Sequence, residues 1–305
     1  MVDDVLRGAV DMHVHGYPDA SPQWPMRTDD ETLVSAARDC GMRGLVLKSH
    51  FWPTMDRARR LTETLADPGF TVFGSITLNP LIGGLQPATV EAAAGHGAKV
   101  VFMPTWGSAN DARHRGFVRE KIVDRWFPRL SADLADSAIT VLDGSGRLRG
   151  EAREIVSIAQ EQGMVVSTGH LGVAESVALA EYSAEIGFRG LVFCHPFSSS
   201  VDADLGAMKT VVGLGGAVEM TAVHAFLPTS PVTPVQVYEA IRELGAGNVV
   251  LSSDVFFDWM PSHAEMLRCF TGQLRMLGLS QAELRTMLAG TPRRLLGLGQ
   301  AESIA

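Results

Sequence analysis

Asp11-Met12-His13-Val14-His15-Gly16 is the end of a short apolar strand that carries two imidazoles two residues apart. Successive strand side chains point to opposite faces, which predicts Asp11, His13 and His15 on one face and Val10, Met12 and Val14 on the other. Two neutral imidazoles on one face make half of a metal site. By itself His-x-His describes two polar residues on a half-wet strand equally well. The metal reading gains because four later apolar runs also end in a ligand-type residue: Lys48, His170, His195 and Asp254.

The 305 residues would fill one large or two ordinary domains, and barrels of alternating strands and helices reach this length as a single unit. An apolar fraction of 46% supplies a large core. A net charge of −8 argues against a nucleic-acid partner, which calls for a surplus of Lys and Arg to displace counterions. The densest basic cluster, Arg113-His114-Arg115 with Arg119 and Lys121, is broken by Phe117 and Glu120 and fits a solvated loop or lid. Cys40, Cys194 and Cys269 are too few and too scattered for a disulfide framework or a Cys-based zinc site, which fits a reducing compartment. Asp3, Asp4, Arg7 and Asp11 interrupt the opening residues, so no secretory leader is expected, and no later apolar run is long enough to span a bilayer. The expectation is a cytoplasmic protein acting on a small molecule, without a membrane partner and with homo-oligomerisation left open.

After the first strand, a proline-rich loop over 17–28 offers Trp24 and Met26 as the roof of a pocket. Asp29 or Asp30 caps a helix that carries Leu33, Val34, Ala37 and Cys40 and stops at Gly41. The run 44–48, followed by Ser49 and His50, has the character of a buried parallel strand opening into a site at its carboxyl end. Helix 54–66, strand 71–78, helix 88–94 and strand 99–105 continue the alternation. Residues 106–137 break it and predict an inserted lid, and 139–148 predict a hairpin around Gly144 and Gly146, so that 106–150 is an addition after strand four. Helix 151–162, strand 164–168, helix 174–186 and strand 190–194 follow. A helix from about 202, strand 217–223, a helix opened by Pro234 and strand 248–253 complete the series. The tail holds helix 262–277 and a capping box at Ser280-Gln281-Ala282-Glu283. Eight strands, each leading into a helix, predict an α/β fold, a (β/α)8 TIM barrel spanning 1–305 as one domain.

Active sites of such barrels lie at the carboxyl ends of the strands. That end collects His13 and His15 from strand one, Lys48 and His50 from two, His170 from five and His195 from six. Glu219 and His224 come from strand seven and Asp254 from eight. His-x-His after strand one, single histidines ending strands five and six and an Asp ending strand eight resemble the amidohydrolase superfamily of metal-dependent hydrolases. The segment Gly290-Thr291-Pro292-Arg293-Arg294-Leu295-Leu296-Gly297-Leu298 is similar to the carboxyl-terminal helix that often ends its members.

The resemblance covers the whole chain. It implies His13, His15 and Asp254 on a first divalent cation and His170 and His195 on a second, zinc ahead of manganese, with Asp254 also the general base. The reaction implied is hydrolysis of an amide, ester, lactone or related bond. One departure stands out: the family's bridging ligand is a carboxylated Lys or a Glu on strand four, and strand four here ends Val101-Phe102-Met103-Pro104-Thr105. Lys48 is the candidate to supply the bridge instead. An ammonium has no lone pair, but a neutral buried amine reacts with carbon dioxide to give a carbamate, an anionic ligand with two oxygens. The other solution is one metal, as in the deaminase-like and decarboxylase-like branches.

Plainer roles stand beside these. His96, His114 and His263 are expected at the surface. Glu219 suits a salt bridge with Lys48 as well as a substrate-binding role, and His50 and His224 suit substrate contact or hydrogen bonds within the barrel mouth. Trp106, Trp126, Phe197, Phe226, Phe256, Phe257 and Trp259 suit an apolar pocket or simple packing. A metal-dependent phosphoesterase would need Arg113, Arg115 or Arg119 in the site. A barrel that only binds a ligand would have no use for the convergence of six ligand-type residues.

Overall fold

Each of the eight apolar runs forms a strand whose neighbours in space are its neighbours in sequence. The computed structural model describes residues 5–22, 26, 28–114, 120, 123–227 and 232–298. Its strands are β1 (Val10–His15), β2 (Gly44–Lys48), β3 (Thr71–Thr77), β4 (Ala98–Phe102), β5 (Val165–Ser167), β6 (Leu191–Phe193), β7 (Ala217–Thr221) and β8 (Val249–Ser252). They are parallel and run in the order β1 to β8. The seam between β8 and β1 is tied by side chains and loop backbone. The Asp254 N–H donates to the His13 carbonyl at 2.9 Å, and the Ser253 N–H donates to Asp11 Oδ1 at 3.1 Å. The alternation with helices is that of a (β/α)8 barrel.

The helices are α1 (Asp30–Asp39), α2 (Met55–Leu65), α3 (Pro87–Gly95), α4 (Ala109–His114), α5 (Asp124–Trp126), α6 (Pro128–Asp136) and α7 (Gly150–Glu161). After these come α8 (Val173–Glu185), α9 (Leu205–Gly213), α10 (Pro234–Leu244), α11 (His263–Met276), α12 (Gln281–Arg285) and α13 (Thr291–Leu295). Their starts follow local chemistry. The Asp29 carboxylate accepts from Thr32 N, Ser262 caps α11, and Ser280 with Glu283 forms the expected reciprocal cap on α12.

Two apolar cores result. A large one lies between strands and helices, and a smaller one fills the barrel with Val10, Met12, Val46, Val100, Phe102, Val165, Val192, Ala217 and Val250. Leu295 and Leu296 at the end of α13 pack onto that inner cluster, so the closing segment plugs the barrel.

The first strand departs from simple alternation. Between Asp11 and Val14 β1 advances three residues while β2, from Leu45 to Leu47, advances two. This bulge shifts the parity, so Val10 and Met12 belong to the inner cluster while Val14 joins the outer one. Asp11 therefore does not share a face with the histidines, as strict alternation predicted. Its Oδ1 accepts from His13 N at 3.2 Å and from Ser253 N, which makes it a seam residue.

The insertion after β4 contains α4, α5 and α6. The predicted hairpin shrinks to a single antiparallel bridge, Leu142 with Leu148, because the turn is satisfied locally: the Asp143 carboxylate accepts from the backbone of Ser145 and Arg147. Trp24, Arg115 and Arg119 lie outside the described residues, and Arg113 is exposed near the end of α4. No described helix is long and apolar enough to cross a membrane.

Candidate metal centre

The carboxyl ends of the strands bring together buried histidines from β1 and from the ends of β2, β5 and β6, with the partly exposed His224 after β7. His13 Nε2 lies 3.0 Å from Asp254 Oδ1, and His15 Nε2 lies 3.1 Å from the same oxygen. These three side chains form one tight set of candidate ligand atoms, and Asp254 with His195 and His224 forms a second. His224 Nε2 stands 3.5 Å from Asp254 Oδ2, so the two carboxylate oxygens face different histidines. Asp254 and His195 both have left-handed backbone, φ 53° and 26°, a turn at the strand end that non-glycine residues seldom adopt.

Nearly every ring in the cluster has its Nδ1 engaged. His13 Nδ1 meets Glu219 Oε2 at 3.2 Å, and His15 Nδ1 meets Asp19 Oδ2 at 2.7 Å. His170 Nδ1 meets Asp111 Oδ1 at 2.9 Å, His195 Nδ1 meets Ser198 Oγ at 3.0 Å, and His50 Nδ1 meets Thr105 Oγ1 at 3.1 Å. A partner on Nδ1 fixes the ring's orientation and tautomer and leaves Nε2 for a cation, the usual arrangement behind metal-ligating histidines. His50 also stacks on Trp106, with ring centroids 3.7 Å apart, and on His15 at 4.7 Å.

Electrostatics favour the same reading. Burial depresses His50, His170 and His195 below the ordinary imidazole range, which keeps them in the neutral, ligating form; neighbouring positive charges add to the effect on His50 and His195. Burial opposes ionisation of Asp254, but the His13 charge and hydrogen bonds from His13, His15 and His224 outweigh it and hold the carboxyl well below its usual range. Glu219 and Asp19 are lowered in the same way, by His13 and His15 respectively. Burial would depress His13, yet Asp254 and Glu219 overcome it and raise the group. Buried carboxylates kept ionised by the positive charge on His13, among His50, His170 and His195 held neutral, suit a divalent cation, whose binding would replace the His13 proton. The oxygen–nitrogen separations fit as well: ligands about 2.0–2.1 Å from a tetrahedral ion stand roughly 3.3 Å apart.

Not every expected residue takes its expected place. Lys48 is buried, with Nζ 2.7 Å from His13 Nε2 and 4.8 Å from the Phe102 ring centroid. Glu219 turns to His13 and to Cys194 Sγ, at 3.2 Å, so its place is behind a histidine. His170 lies beside His195, ring centroids 5.0 Å apart, yet among the described residues it joins neither triad containing Asp254. Gly169 before it has φ 58°, and any Cβ there would collide with the Met103 carbonyl. His96 is at the surface beside Asp56, and His114 is exposed at the end of α4. His263 is not a surface residue: it is 3% exposed at the start of α11, where it lines a small cavity with Met26, Leu33 and Phe256.

Asp19, Asp111, Thr105 and Ser198 escaped the sequence reading, since they lie in loops and in the insertion, where no periodicity marks an inward side chain. Only the four-residue spacing of Asp19 from His15 was a signal. Asp19 also accepts from Ser49 Oγ and His50 N, so one carboxylate anchors the loops after β1 and β2. A cleft of about 780 Å³ beside these loops is lined by Pro18, Phe51, Trp52, Leu81, Phe127 and Leu130 among others.

The chain is similar in fold to an amidohydrolase from Pseudomonas aeruginosa, with a TM-score of 0.65 at 14% identity over 96% of both chains. It is similar to an amidohydrolase from Burkholderia multivorans with bound HEPES, at TM-score 0.58 and 14% identity, over 95% of this chain and 99% of that one. A dipeptidase described as a metallopeptidase aligns at TM-score 0.60 and 12% identity, over 95% and 98% of the two chains. The fold is thus that of the amidohydrolases. No curated protein sequence matches the chain significantly. The sequence pattern of DUF6282, described as a family of unknown function, matches residues 8–219.

Proposed function

This chain belongs to the DUF6282 family, whose description carries no activity, and from the site itself we propose that it is a metal-dependent hydrolase of the amidohydrolase kind. The observation that carries the reading is the meeting of His13 Nε2 and His15 Nε2 at Asp254 Oδ1, with both rings backed by carboxylates. His13, His15 and Asp254 would hold a divalent cation, zinc ahead of manganese for imidazole with carboxylate. When bound, such a cation activates water as a nucleophile and polarises the bond under attack.

The chain's own residues then divide the remaining tasks. Asp254 takes the proton of the attacking water, as a carboxylate kept ionised at neutral pH by its imidazole neighbours. Glu219 and Asp19 hold His13 and His15 in register. His50, stacked under Trp106, and His170, held by Asp111, border the place where a substrate would lie. Lys48 beside His13 acts best as a carbamate, because an ammonium at that position would repel a cation on the same ring. The substrate is a small molecule with a hydrolysable amide, ester or lactone bond.

The test begins with metal content of the purified chain, then hydrolysis of a panel of amides, esters and lactones before and after chelation. Asp254→Asn should lower turnover by roughly 10²-fold or more, the usual loss for a missing general base. Bicarbonate should promote metal loading of the wild type and have no effect on Lys48→Ala. A protein that binds neither zinc nor manganese, or whose Asp254→Asn variant keeps full activity on its substrate, would overturn the reading.

A further inference from the structure

We propose that His224, with His195 and Asp254 Oδ2, forms a second cation site, and that Asp254 is shared between it and the cation at His13, His15 and Asp254 Oδ1. The inference rests on the metal-dependent reading above and concerns which residues complete it. The first observation is the division of the carboxylate. Oδ1 meets His13 and His15 at 3.0 and 3.1 Å, and Oδ2 faces His224 Nε2 at 3.5 Å. All three separations are close to the roughly 3.3 Å edge between ligands of one tetrahedral ion.

The second observation is the backbone that carries His224. It sits on a 3₁₀ turn (Val223–Ala225) directly after β7. Ala222 N donates to Ser252 O at 2.8 Å and Val223 N donates to Ser253 O at 3.0 Å, so the β7–β8 pairing continues past both strands. That register sets His224 opposite Asp254. Substrate-contacting loops need no such coupling, but two ligands of one ion do, because a displacement of a few tenths of an ångström changes coordination.

The third observation is His195. Its Nδ1 is taken by Ser198 Oγ, leaving Nε2 for the centre, and its ring stands edge-on to His224 with centroids 4.9 Å apart. Beside the two rings, Ser198, Met220 and Thr221 line a space of about 10 Å³, too small for a side chain. His170, the other candidate, is held by Asp111 and among the described residues stands outside the triad of His195, His224 and Asp254. A shared Asp254 also answers the lack of a bridging side chain on β4, whose Phe102 belongs to the inner apolar core.

Titration of the apoprotein with cobalt(II), with bound metal counted by elemental analysis and coordination followed by the visible spectrum, decides the matter without any substrate. Wild type should take up two ions per chain, and spin coupling should report that they share a ligand. His224→Asn and His195→Asn should each hold one ion, while His170→Asn should still hold two. Thermal melts of the apo-variants check that each is folded, and two independent variants guard against one that is not. Two ions in both His224→Asn and His195→Asn, or a single ion in wild type together with no change in His224→Asn, would overturn the second site and leave the metal-dependent reading intact. No cobalt, zinc or manganese bound to wild type would overturn both.

Discussion

Glu219 meets His13 at Nδ1, the nitrogen that faces away from Asp254, and so decides which nitrogen remains for a cation. A carboxylate in this position fixes the ring and raises its basicity, and losing such a partner commonly costs 10- to 100-fold in metal affinity, about 10–100 in the binding constant. Glu219→Gln keeps the shape and removes the charge. On the proposed function, chelator competition should find zinc held roughly 10-fold or more weakly in the variant, with the melting curve of the apoprotein close to wild type. Unchanged zinc affinity would reduce Glu219 to a packing residue. The expectation that Glu219 pairs with Lys48 or contacts substrate rests on its place on strand seven inside the barrel, which does not reveal that His13 stands between them. His13 Nε2 faces Lys48 while its Nδ1 faces Glu219.

At the scale of the element, β1 is legible in the sequence except for its bulge. The apolar run and the two histidines were legible, and so were seven further strands, because short continuous apolar runs, buried on both faces, and glycine or proline punctuation are local signals. The bulge was not legible, since an extra residue leaves no mark in a six-residue segment and depends on the partner strand. It turns Asp11 to the seam with β8, where burial pushes its carboxyl up to about 7 and its Oδ1 accepts two backbone N–H groups. Asp11→Ala leaves both donors without this acceptor, at about 1–3 kcal/mol each, whereas Asp11→Asn keeps an acceptor oxygen. Urea unfolding should therefore place the alanine variant well below the asparagine variant in stability. Equal losses in the two, or none in either, would remove Asp11 from the account of closure.

The whole molecule places in contact residues that are far apart in the chain: His13 and Glu219 are separated by 206 positions, His15 and Asp254 by 239. It also buries groups that local pattern would leave outside. His263, at the first turn of a helix, was expected at the surface. Burial lowers it from 6.5 to about 4, and its Nε2 has no hydrogen-bond partner among the described residues. The unfolded chain thus binds a proton here that the native state refuses. Stability from this group is complete above pH 6.5 and is lost as pH falls from 6.5 toward 4. Between pH 7 and pH 5 the loss should be about 2 kcal/mol, and His263→Gln, which cannot titrate, should lack it. Urea unfolding of both proteins at the two pH values measures the difference. Parallel pH profiles would mean that His263 is neutral in neither state more than the other.

Sequence alone determined the (β/α)8 alternation, a helix start at Asp29 or Asp30, the capping box at Ser280 and the residues able to ligate at strand ends. All of these depend on contacts within a few positions. Only the tertiary structure decided how those residues divide: Asp19, Asp111 and Ser198 behind the rings, Glu219 behind His13 and His224 against Asp254 Oδ2. The reason is geometric. Which nitrogen of a ring faces inward, and which oxygen of a carboxylate faces which ring, depend on the closure of β8 on β1 and on loop conformations. Neither leaves a periodic trace in the order of residues.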